Sequence, residues 1–252
     1  MRTKIIYEDN DIIVIQKPAG IAVQTAQVGR IDVVSELKNY LGKNPYLGVI
    51  HRLDQPVEGL LVFAKNPKAA ANLSAQLTKE DFCKEYLAAV CGKPLSDNGE
   101  LVDYLVKDGA VARVCVPEDV QRTGQGQNIG QNPGQGNGKV TGSAKADVPK
   151  RAVLHYERKE TKEIAGEEIS LLKIRLETGR FHQIRVQLSH AGYPILGDAK
   201  YGSDKSRQVS TEAGVRNMAL CAYRLCFKHP VQKKVMEYVI TPQGEAFTNF
   251  KI

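Results

Sequence analysis

Four residues, His51-Arg52-Leu53-Asp54, set a histidine, an arginine and a carboxylate ahead of Gly59-Leu60-Leu61-Val62-Phe63-Ala64, an apolar run that reads as a buried strand. Asp54 stands two positions after Arg52, a spacing that in extended or turn backbone sends both side chains to one side. A guanidinium so placed would hold the carboxylate ionised and aimed, as a base or nucleophile near neutral pH requires. The same residues would also suit a surface ion pair that steadies a turn. A second cluster, Arg180, His182, Gln183 and Arg185, falls at a turn and at the start of a helix expected over residues 182–191. Free amides there favour phosphate or carboxylate, although a solvated helix end would look alike. The third candidate is Tyr86, in Lys84-Glu85-Tyr86 at a strand start: either core packing or an aromatic face for a nucleobase. The chain has no tryptophan, so tyrosine would have to supply that platform.

Several elements must position these groups. Two β-branched runs within residues 4–16 suggest a hairpin that leads into the Lys17-Pro18-Ala19-Gly20 turn. Val33, Val34, Leu37 and Leu41 fall at helical spacing behind Asp32 as N-cap, and Asn66-Pro67 opens a second amphipathic helix. Residues 83–92 read as a strand stopped by Gly92. Residues 152–160 and 169–177 read as a hairpin around a turn-like segment at 161–167, and two more strands follow near the C-terminus. Residues 197–202, with glycines at both ends, suggest a tight turn. Between about Gln121 and Ser143 the composition turns to Gly, Gln and Asn with almost no apolar residue, the mark of a flexible insertion.

Bulk composition narrows the partners. Thirty-five Lys plus Arg against 28 Asp plus Glu leaves a net charge of +7, which favours polyanions without choosing one. No apolar stretch is long enough to span a membrane, and the N-terminus lacks a secretion signal. Five cysteines, an odd set with no CxxC pair, fit reduced thiols in cytoplasm. Cys226 and His229 lack the further ligands of a zinc site and read as filler and surface polarity.

Taken in order, these segments resemble the RluA-type family of RNA pseudouridine synthases. HRLDQPVEGLLVFAK is similar to the family's HRLDxxTSGLLLxAK, and GRFHQIRVQLSHAGYPILGDAKYG to its GRxHQIRxHLxxxGxPIxGDxxYG. Weaker likeness at the start, at KEYLAAVCG and near the end extends it over nearly the whole chain except the Gly/Gln-rich tract. The resemblance implies an α+β fold with a long, mostly antiparallel mixed sheet, flanking helices and a central cleft, in one catalytic domain over residues 1–252. The pattern begins within a few residues of Met1, so the S4 domain that many relatives carry in front is expected to be missing. RNA recognition would then fall to the catalytic domain.

The resemblance further implies isomerisation of uridine in ribosomal or transfer RNA, with no cofactor and no metal, in a cytoplasmic protein expected to be a monomer. Asp54 would act at the ribose, Tyr86 would stack on the base and assist loss of the C5 proton, and Arg185 would pair with Asp54. Arg52 would help hold the flipped-out nucleotide, and His51, Arg180, His182 and Gln183 would line the RNA-binding wall. The sequence departs from the family at Val57-Glu58, where relatives carry Thr-Ser; that puts a carboxylate near an RNA-facing turn and bears on substrate choice. Two other classes remain: a non-catalytic RNA-binding protein of the same fold, and a hydrolase using Asp54 and a histidine on phosphate esters, for which a P-loop or metal cluster is missing.

Overall fold

The structure, a computed structural model, describes residues 1–27, 29–79, 82–115 and 148–252. The insertion expected at 121–143 lies outside the described residues. Strands Lys4–Glu8 (β1) and Ile12–Lys17 (β2) pair antiparallel around a turn in which Asp9 Oδ1 accepts the amides of Asp11 and Ile12. Helix Val33–Leu41 (α1) starts where Asp32 accepts the Ser35 amide at 2.7 Å, as its capping type predicts. Strands Gly48–Val49 (β3) and Glu58–Ala64 (β4) follow, then helix Pro67–Thr78 (α2), with Asn66 as N-cap and proline in its first turn.

Strand Cys83–Cys91 (β5) precedes a hairpin of Asn98–Asp108 (β6) and Val111–Cys115 (β7) that the sequence reading passed over, although Asp108-Gly109 between alternating apolar residues is a hairpin signal. Lys150–Ile164 (β8) and Glu167–Leu176 (β9) run longer than expected. Alternation continues through Thr161, whose hydroxyl meets Ser170 across the ladder at 2.9 Å, so the turn shrinks to Ala165-Gly166. Helix Gln183–His190 (α3) is one residue shorter at each end than read, and helix Asp204–Glu212 (α4) was not anticipated. Leu220–Lys228 (β10), Val235–Val239 (β11) and a 3-10 turn, Glu245–Asn249, complete the described chain.

The described strands form one eleven-stranded sheet in the order β1-β2-β4-β10-β5-β9-β8-β6-β7, with β3 beside β4 and β11 beside β10. This is the α+β, mostly antiparallel architecture expected from the sequence. One pair is parallel: β4 against the start of β10, through Glu58 to Cys221 and Gly59 to Ala222. The central strands bury both faces. Ile12, Val14, Leu60 and Val62 pack with α2 residues Ala69 and Leu73, while Ile13, Ile15, Leu61 and Phe63 pack with α1 residues Val33 and Leu37. Period-2 alternation with both faces covered is why β4 reads as a continuous apolar run. Because β10 lies between β4 and β5, the loop that enters β4 opens onto the same cleft as the first half of β5.

Candidate active site

That cleft, of about 990 Å³, is lined by the 51–54 loop, by the start of β5 and by the 176–185 segment that leads into α3. Asp54 stands in the loop before β4, its side chain 26% exposed, and the Asp54 carbonyl accepts the Val57 amide to close a turn. The loop is clamped from behind. Lys17, fully buried, donates its ammonium to the carbonyls of Pro18, Ile21 and Gln55, and Gly20 N–H donates to Gln55 as well. Burial pushes the Lys17 ammonium down to about 7, against the pull of the Asp54 and Glu58 charges.

Arg185 reaches Asp54 from the first turn of α3: its Nη1 donates to Asp54 Oδ2 at 3.1 Å. Its Nε and Nη2 form a fork on Asp198, both at 2.8 Å. Asp198 is buried in turn, and its Oδ1 also accepts the amides of Lys200 and Tyr201. Burial alone would push the Asp198 carboxyl up, but the Arg185 hydrogen bonds and charge hold it below its ordinary value. Two carboxylates on one guanidinium leave Arg185 pre-set towards Asp54.

Tyr86, on β5, is buried at the cleft floor. Its phenol is pushed well above the ordinary value by burial first and then by the Asp54 charge, so it stays protonated near neutral pH. No hydrogen bond joins its hydroxyl to another described residue. His182 closes the far side: its Nδ1 meets the Tyr201 hydroxyl at 2.7 Å, and its Nε2 lies 3.6 Å from Asp54, beyond hydrogen-bond range. Burial holds the imidazole below its ordinary value against the pull of Asp54. The backbone of His182 is left-handed, φ 54°, and this conformation aims the ring into the site.

One cleft therefore holds a carboxylate bonded to a buried guanidinium and, on its floor, a buried tyrosine. The family described as RNA pseudouridylate synthase matches this chain over residues 11–190. The chain belongs to that family.

The synthase is 32% identical over 241 residues to the tRNA pseudouridine synthase C of Pasteurella multocida (strain Pm70), covering 93% of this chain and 89% of that protein. It is 31% identical over 245 residues to the Ribosomal large subunit pseudouridine synthase D of the same organism, covering 93% of this chain and 65% of that one. Among solved structures, Human RNA Pseudouridylate Synthase Domain Containing 1 superposes with a TM-score of 0.69 at 21% identity, over 95% of this chain and 83% of that one, which shows a shared fold.

The other residues singled out in the sequence part company. Arg52 is exposed and makes no ion pair with Asp54; among the described residues the arginine bonded to Asp54 is Arg185. His51 lies along the cleft, but its Nε2 accepts the Val62 amide at 3.3 Å where β3 has ended, and its ring edge meets Phe82. Arg180 is exposed, with its Nε on the Arg151 carbonyl. Gln183 is buried and hydrogen-bonded at both ends: its Oε1 accepts from Thr178 and from the Arg180 amide, and its Nε2 donates to the Val153 carbonyl. It braces the turn that leads into α3 and still lines the cleft.

Sequence reasoning missed Asp198, Tyr201, Lys17 and Phe181. Phe181 is 41% exposed, stacks on His182 with centroids 3.8 Å apart, and carries Lys107 at 5.3 Å from its ring. A bulky aromatic between Arg180 and His182 was its only signal.

Glu58 corrects the reading of the Val57-Glu58 departure. Its carboxylate is buried away from the cleft and accepts the amides of Gln243 and Gly244, while Val57 takes the cleft side. His229 is likewise not surface polarity; it is fully buried on Asp9 at 2.8 Å. Among the described residues, two groups of carboxylates and histidine converge closely enough for a cation, Asp9-Asp11-His229 and Glu100-His155-Glu177. Neither includes Asp54, whose neighbouring guanidinium repels cations. No helix among the described residues is long and apolar enough to cross a membrane.

Proposed function

We propose that the synthase isomerises uridines in structured ribosomal or transfer RNA, the substrates named for its two Pasteurella relatives, with Asp54 as the group that acts at the ribose. The observation that carries the assignment is the Asp54–Arg185–Asp198 chain, which leaves one Asp54 oxygen free to face the cleft. In the reaction the N1 to C1′ bond breaks, the uracil turns, a C5 to C1′ bond forms, and the C5 hydrogen leaves as N1 gains a proton. No atom is gained or lost overall. The target nucleotide must leave its stack to reach Asp54, at a cost of a few kcal/mol that phosphate contacts offset.

Tyr86 supplies a rigid face for the uracil and a neutral hydroxyl. A phenolate there is opposed both by burial and by Asp54, which argues against Tyr86 as the resting base for the C5 proton. Arg52, Arg180 and Phe181 are exposed on the cleft lining and, in this reading, meet the extruded strand. Residues 1–252 act as one catalytic unit in this reading. Strands from both sides of the 121–143 tract interleave, with β10 between β4 and β5, so neither part closes alone.

The test uses RNA tritiated at uridine C5. The synthase is expected to release tritium from unmodified transfer-RNA or ribosomal-RNA transcripts, and Asp54→Asn to lower release at least about a thousandfold while RNA affinity stays within a few-fold. Folded wild-type protein that releases none would leave an RNA-binding protein of this fold. Undiminished release by Asp54→Asn would remove the assigned role.

A further inference from the structure

Five lysines of the described chain are buried or half-buried: Lys17, Lys65, Lys84, Lys162 and Lys173. Four give their ammonium to oxygen. Lys17 meets three carbonyls, Lys65 meets Glu8 at 2.6 Å, Lys162 meets Glu160 at 3.2 Å and Lys173 meets Glu85 at 3.2 Å. Lys84 has no hydrogen-bond or ion-pair partner among the described residues, although it lies inside the cleft wall. A charge withdrawn from water is normally paired, since desolvation otherwise costs several kcal/mol.

The position of Lys84 says what would pair with it. Regular alternation along β5 puts it two residues before Tyr86 on the same face of the strand, while Glu85, the adjacent carboxylate, is engaged with Lys173, Arg224 and Tyr223. On the cleft side its neighbour is the His51 ring, which burial and then the Lys84 charge keep neutral. Among the described residues, then, no anion answers Lys84, and a polyanion entering the cleft would supply one. An RNA strand whose uracil lies on Tyr86 carries a phosphate on either side of that nucleotide.

We propose that Lys84 is a phosphate-binding residue for the nucleotide seated on Tyr86, holding the extruded strand against the cleft floor. The proposal rests on the catalytic reading of Asp54 and Tyr86 and adds a contact to it. Its test does not depend on turnover. Dissociation constants for unmodified transfer-RNA transcripts are measured between 50 and 300 mM KCl for wild type, Lys84→Gln and Lys84→Arg.

Loss of one phosphate contact lowers the slope of log affinity against log salt by about 0.7 to 0.9. Lys84→Gln is expected to show that flattening, with affinity at low salt weakened about tenfold, and Lys84→Arg to keep the wild-type slope. A lysine that served only the fold would shift the melting temperature and leave the slope alone, and an unchanged slope in a folded Lys84→Gln protein overturns the proposal. Tritium release by the wild type on the same transcripts tests the catalytic reading separately. Release with an unchanged slope sinks only the phosphate contact; a flattened slope without release sinks only the reaction.

Discussion

Arg185 gives three N–H groups to two carboxylates, and the consequence is that neither carboxylate can be removed quietly. Asp198→Asn leaves a buried guanidinium with a weakened partner, a change that costs about 3–5 kcal/mol when a buried pair is broken. Urea denaturation is expected to show that loss, with tritium release falling in step because Asp54 loses its fixed neighbour; a variant as stable and active as wild type would refute the pairing. Spacing offered Arg52 as the guanidinium beside Asp54, while the resemblance pointed to Arg185. The same-side rule that favoured Arg52 holds for a strand, but residues 51–54 are irregular, and Arg52 turns outward.

His51 carries a second prediction at this scale. Burial pushes its imidazole down to about 3 from the ordinary 6.5. Between those values the unfolded chain binds the proton and the folded chain does not. The stability this neutral histidine confers is therefore full above pH 6.5 and is lost as pH falls towards 3, by at most about 1.4 kcal/mol per pH unit. Unfolding free energies at pH 7, 5.5 and 4.5 are expected to fall more steeply for wild type than for His51→Gln, and equal slopes would contradict the assignment.

At the scale of elements, much was legible. Capping residues Asp32 and Asn66, the β-branched runs and the apolar heart of β4 are local signals, and each element stands where its signal lies. The parallel pairing of β4 with β10 had no such signal, because it joins strands far apart in the chain. Gly59 is its physical trace. Its φ is +139°, and a Cβ there would lie 2.6 Å from the Ala222 backbone. Gly59→Ala must push β4 and β10 apart or strain both, an overpacking cost of roughly 1–3 kcal/mol before the backbone strain is added. Thermal unfolding should show a clear drop in melting temperature, and because the 51–54 loop enters β4 here, KM should rise with it. A variant that melts like wild type would mean that the two strands are free to separate.

For the whole molecule, Glu58 ties the catalytic half of the sheet to the end of the chain, 185 residues away in sequence, through the Gln243 and Gly244 amides. From sequence, a carboxylate in place of a relative's serine suggested a change in RNA contact. Which way residue 58 faces depends on strand register and on the packing of the C-terminal segment, neither of which is local. Burial pushes the Glu58 carboxyl up while the two amides pull it down, so its worth lies in satisfying those two donors. Serine is too short to reach them. Glu58→Ser is expected to cost about 1–3 kcal/mol and to speed hydrogen exchange at Gln243 and Gly244, while the identity of the uridine modified stays the same. Mapping modified positions in transcripts treated with either protein separates the two accounts: a changed target would return residue 58 to the RNA interface, and an unchanged target with faster exchange assigns it to holding the C-terminal segment on the sheet.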